Sequence, residues 1–132
     1  MNMMSIVDHE EGSKLMRVWG VNDWVDPGAE YVVYDECCIF ALVNQGEYID
    51  LHMAMDKARR SECREATNAI LDIIGHYKLR AVILPNSFGA INLAKRMGFH
   101  GKEVVALKDI SGDIIDFVIM WREPEVRNGW CN

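Results

Sequence analysis

"SFGAINLAKRMGF", residues Ser87 to Phe99, decides how this chain is read. Ala90, Ile91, Ala94 and Met97 recur at three- and four-residue steps, so they form one apolar helical stripe. Lys95 and Arg96 lie off that stripe near the C-terminal end, where cations suit the helix dipole. Gly98 is the expected left-handed stop, and Phe99 follows at once as a ring to bury.

Upstream, "LRAVILPN" is a short apolar run ending at Pro85, read as strand 80–85 and buried on both faces. Before it, Cys63, Ala66, Ala69, Ile70, Ile73, Ile74 and Tyr77 repeat with helical period, which predicts a helix over 61–77 with Ser61 as N-cap. The stretch "EYVVYDECCIFALVNQGEYIDLHMAM" divides at Asp35-Glu36 and at Asn44-Gln45-Gly46 into strands 30–35, 37–43 and 47–55. In the third strand Tyr48, Asp50, His52 and Ala54 share one face, and Ile49, Leu51, Met53 and Met55 share the other. "EEGSKLMRVWG" is a short helix over 10–20. Past the opening stretch, two strands joined around Ser111-Gly112-Asp113 form a hairpin, followed by a tail that Trp130 can pin.

The predicted order is helix, three strands, helix, strand, helix, two strands. A long helix between strands 47–55 and 80–85 requires parallel pairing with a right-handed crossover. The remaining strands are hairpin-connected and antiparallel. The fold class is α/β (α+β): a mixed, mostly antiparallel sheet with a central β-α-β crossover and helices on both faces. Residues 1–132 show no repeat or linker, so one domain is expected.

Composition narrows the function. The net charge of −6 argues against nucleic acid as a partner and against an anionic membrane surface. No apolar run reaches the length of a transmembrane helix, and the N-terminal "MNMMSIVDHEEG" lacks a signal-peptide pattern, so a cytoplasm is expected. Cys37, Cys38, Cys63 and Cys131 have no metal-ligand spacing with one another or with the scattered histidines, so no metal is expected. Cys37 and Cys38 are neighbours read as strand residues, with side chains on opposite faces.

In a β-α-β unit, ligands bind beyond the carboxyl ends of the strands, where the crossover helix offers free N–H groups to a phosphate. Lys57, Arg59, Arg60 and Arg64 gather there, offset by Asp56, Glu62 and Glu65. The same residues also suit a solvated helix start.

In this order the chain resembles the GNAT superfamily of N-acetyltransferases, whose closing helix reads A-I-x-L-Y-x-x-x-G-F. "AINLAKRMGF" matches it through Ala90, Ile91, Leu93, Gly98 and Phe99, and the element order agrees over residues 10–121. The resemblance implies acetyl-CoA as donor and an amine as acceptor, with a cationic acceptor favoured by the net charge. It implies a diphosphate on the turn Arg59, Arg60, Ser61, Glu62, Cys63 and Arg64. It implies a pantetheine arm beside Met53 and Met55, and a coenzyme contact at Asn86. Of the polar strand residues, His52 suits a general base, with Asp50 and Tyr48 beside it; each can equally face solvent or a buried partner. Cys63 starts the helix, where thiols are activated, but it falls on the apolar stripe, the place of a core cysteine.

Two departures stand out. The family's R/Q-x-x-G-x-G/A turn is here the glycine-free "RRSECREA", and Ala94 stands where the family has its acid tyrosine. In these respects the chain is similar to small GNAT-like proteins of tailed bacteriophages, some associated with the virion or head assembly. That similarity implies a binding role in host cytoplasm or virion, with a homodimer or phage structural proteins as partners.

Overall fold

The computed structural model describes residues 3–108 and 111–125. Its elements are β1 (Met4–Val7), α1 (His9–Val18), β2 (Glu30–Tyr34), β3 (Cys38–Asn44), β4 (Ile49–Met55), a 3-10 helix (Lys57–Glu62), α2 (Cys63–Ile74), β5 (Leu79–Ile83), α3 (Phe88–Arg96), β6 (His100–Lys108) and β7 (Ile114–Arg122). Seven strands form one sheet in the order β1-β2-β3-β4-β5-β7-β6. Only β4 and β5 pair in parallel, as a crossover through α2 demands. The expected mixed, mostly antiparallel α/β architecture is present. The Trp130 tail lies outside the described residues. No helix among the described residues is long and apolar enough to cross a membrane.

Two cores flank the sheet. On one face α2 brings Ile70, Leu71 and Ile74, and α3 brings Ile91 and Ala94, against Phe40, Leu79, Ala81, Val118 and Met120. On the other face α1 packs Met16 over Tyr31, Val33, Ile39, Ala41 and Ala54. The α3 stop is a Schellman cap: Phe99 N–H bonds Ala94 C=O at 2.9 Å and Gly98 N–H bonds Lys95 C=O at 3.1 Å. Gly98 has φ +91°, and Phe99 is buried as expected.

Several boundaries differ from the sequence reading. β1 was not anticipated: it is a four-residue edge strand, and its Ile6 is 80% exposed, so it has no buried alternation to see. Pairing with β2 makes it a strand. Cys37 and Cys38 do not point to opposite faces. Both are buried in the α2-side core, because Cys37 closes a turn and strand alternation begins only at Cys38. That turn has Asp35 at φ 46° and Glu36 at φ 55°, with Cys37 N–H on Tyr34 C=O at 3.0 Å. Such a two-residue turn normally uses Asn or Gly. The α2 stripe is also narrower than its period suggested, since Ile73 and Tyr77 are half exposed.

Gly12 shows how tightly α1 is seated. A Cβ there would overlap the ring of Tyr31, which is 1% exposed. Tyr31 cannot easily yield: its hydroxyl donates to Asp26 Oδ1 at 2.8 Å and accepts from Trp24 Nε1 at 3.0 Å. In an ordinary helix Gly→Ala gains about 1 kcal/mol. Here Gly12→Ala is expected to lose about 1–3 kcal/mol through overpacking, read as a lower urea midpoint.

Candidate active site

The site is organised by a short ladder. β4 is paired with β3 along all seven residues, and β5 with β7 along all five. Each follows its antiparallel partner, so β4 and β5 meet only at Ile49↔Leu79 and Asp50↔Arg80 and then part. Ile49 N–H bonds Lys78 C=O at 2.9 Å. By alternation the peptide groups of Leu51 and Met53 point to the same edge, into the gap. Met53 and Met55 are half-buried beside it on the α2 face.

On that face the segment entering α2 is not an open loop. Asp56 Oδ1 accepts from Ala58 N–H, and a 3-10 turn carries the chain to Glu62. The helix therefore begins at Cys63 rather than Ser61, and Glu62 at the N-cap makes no side-chain cap. Cys63 N–H is already bonded to Arg60 C=O.

Arg59 turns away from the groove and onto two carboxylates. It donates to Asp35 Oδ2 at 2.6 Å, to Asp35 C=O at 3.0 Å and to Glu62 Oε2 at 2.5 Å. The Arg59 hydrogen bonds hold the Glu62 carboxyl below its ordinary range. Arg59 thus braces the left-handed Asp35-Glu36 turn against the start of α2.

Arg60, Ser61, Cys63 and Arg64 do come together. They line a cavity of about 770 Å³ with Asn68 from α2 and Leu93, Arg96 and Met97 from α3. Cys63 is half-buried at this wall rather than deep in the core. Asn86 is exposed in the turn after β5.

On the opposite face lies a polar network. Asp50, 4% exposed, accepts from Arg80 Nε at 2.5 Å and Nη2 at 2.7 Å and from Gln45 Nε2 at 2.9 Å. The Arg80 guanidinium is 4.8 Å from the Tyr48 ring centroid, and Tyr48 packs edge-on against Trp121. His52 lies two residues beyond the last β4–β5 pair, with its ring edge-on to Trp24 at 5.2 Å. Burial pushes the His52 imidazole down; Asp50 opposes this and Arg80 adds to it. A second cavity, about 420 Å³, opens near the ends of α1 and β4 between Trp19, Asn22, Met55 and Asp56.

No protein-family model matches the chain, and neither does any curated protein. Solved structures do match. The ribosomal-protein-S18-alanine N-acetyltransferase from Escherichia coli superposes with TM-score 0.72 at 13% identity, over 100% of this chain and 99% of that one. A Bacillus subtilis acetyltransferase in complex with CoA gives 0.66 at 11%, over 95% and 100%. A spermidine N-acetyltransferase mutant from Vibrio cholerae gives 0.68 at 12%, over 91% and 92%. The fold is that of the GNAT N-acetyltransferases.

Within the GNAT fold the sequence reading missed Arg80, Trp24, Gln45, Asn68 and Arg96. Arg80 had a visible signal, a lone charge inside the apolar run "LRAVIL". A charge in a nearly buried strand requires a partner. Trp24 and Gln45 lie in loops, and their meeting with β4 residues is tertiary. Ala94 is 8% exposed, packed in the α2-side core.

Proposed function

We propose that this chain is an acetyl-CoA-dependent N-acetyltransferase acting on an amine. The observation that carries the reading is the gap between β4 and β5, with an arginine-lined cavity on one face of the sheet and His52 on the other.

The residues fit the coenzyme in a particular way. The turn lacks glycine, and one N–H at the helix start is already bonded, so bare backbone is a poor diphosphate cradle. The guanidinium groups of Arg60 and Arg64 take that role at the cavity wall. Leu51 and Met53 offer peptide groups along the gap to an amide-bearing arm. Met53 and Met55 flank it, and Asn86 lies beyond the end of β5. Bound acetyl-CoA supplies an acyl group activated as a thioester.

The chain's own chemistry is proton handling. An amine must be neutral to attack. His52, kept neutral by burial, takes the proton that the amine sheds. Asp50 is held by Arg80 and acts on His52 through its charge rather than as a second base. The acceptor enters at the cavity near the C-terminal end of α1, where carbonyl ends and Asp56 favour a donor group such as an amine and Lys57 offsets the Asp56 charge.

Titration with acetyl-CoA tests this. At a hundred times its dissociation constant the ligand should stabilise the fold by about 2.7 kcal/mol, seen as a rise in melting temperature. No rise at millimolar acetyl-CoA would sink the reading. Ala94 favours a second reading, a GNAT-fold binding protein without turnover, as in the phage proteins it resembles. Release of free thiol in the presence of amines separates the two: binding without release selects the second.

A further inference from the structure

The arginines of the described residues fall into two groups. Arg59, Arg80 and Arg122 are ion-paired, and Arg17 donates to a carbonyl. Arg60, Arg64 and Arg96 form no ion pair among the described residues, and all three line the same cavity. Two of them work against the fold. Arg60 and Arg64 flank the N-terminal end of α2, the positive end of the helix dipole, where a cation is unfavourable. In a chain with 20 acidic residues and a net charge of −6, only Glu65 offsets them on the cavity wall. Across the cavity, Arg96 ends α3, and next to it the nearby Lys102 ammonium pushes the Lys95 ammonium down. The cavity therefore carries cations from both helices, Arg60 and Arg64 at the start of α2 and Arg96 at the end of α3, around a space of nucleotide size.

Resting on the acetyltransferase reading, we infer that the cavity takes a nucleotide with two separated phosphate positions: the diphosphate on Arg60 and Arg64, and the ribose 3′-phosphate of coenzyme A on Arg96. Arg96 then makes the protein select coenzyme A over dephospho-coenzyme A. Asn68, from α2 in the same cavity lining, is placed to meet the ribose or base.

Calorimetric titration of the full chain with coenzyme A and with dephospho-coenzyme A tests this without any turnover. Coenzyme A should bind at least about tenfold more tightly, the effect of one charge-assisted contact. In Arg96→Gln the two ligands should bind alike, at the wild-type affinity for dephospho-coenzyme A. In Arg64→Gln both should weaken together. Arg96 is exposed, so unchanged melting temperature verifies that the variant folds. Equal affinities in the wild type, or a preference that survives in Arg96→Gln, overturn the inference and leave the acetyltransferase reading standing. Failure of both ligands to bind overturns both.

Discussion

Arg80→Met should destabilise the protein by about 3–5 kcal/mol, the cost of leaving a buried carboxylate without its cation. Among the described residues Asp50 would keep only Gln45 as a side-chain hydrogen-bond partner, at a position 4% exposed. The variant also removes a guanidinium stacked on Tyr48, which adds lost packing to lost charge. The charge explanation has its own control. Asp50→Leu combined with Arg80→Met removes both charges, and most of the loss should return. Urea unfolding of the two variants decides it: a double variant as weak as the single one would assign the loss to packing.

The fold was legible where periodicity and punctuation agreed. The α3 stripe, the Gly98 stop and the buried Phe99 were readable because each is a local feature with a fixed spacing. The β-α-β crossover was readable because a long amphipathic segment between two strands permits little else. β1 was not, since an exposed edge strand of four residues is made by its neighbour. The 3-10 turn before α2 was hidden for a similar reason. Its Asp56 cap is local, but Arg59 within it also reaches Asp35, 24 residues away, and nothing near Ser61 in sequence announces that contact.

The site was legible in half. Arg60, Ser61, Cys63 and Arg64 are consecutive or nearly so, and a helix start gathers them whatever the rest of the chain does. Arg96 joins them only because α3 lies beside α2. Asp50 and His52 were visible as polar residues in an apolar strand. Their different characters were not, because Arg80 ties up Asp50 and Trp24 covers His52 only in three dimensions. Of the two candidate bases, Asp50 is a paired charge held by Arg80 and Gln45, and His52 is the one without an ion pair among the described residues.

That division makes the second large prediction. Under the proposed function, His52→Ala should lower kcat by about 10²–10⁴-fold, the usual contribution of a general base, while the dissociation constant for acetyl-CoA stays put. Burial lowers the His52 pKa, so the acid limb of the kcat/KM profile should fall below the ordinary histidine value of about 6.5. The same shift has a stability consequence of definite sign. Below about pH 6.5 the unfolded chain binds a proton that the folded chain resists. The contribution is therefore present above that pH and lost on acidification. Asp26 adds a second loss at lower pH. Burial alone would raise its carboxyl, but hydrogen bonds from Tyr31, His9, Ala29 and Gly28 outweigh this and hold it well below the usual range. Its contribution is present above the unfolded aspartate value of about 4 and fades below it. Arg80→Met links the two large predictions: with the guanidinium gone, Asp50 acts unopposed and should raise the His52 pKa, moving the acid limb upward. A limb that stays in place in that variant would mean that a group other than His52 takes the proton.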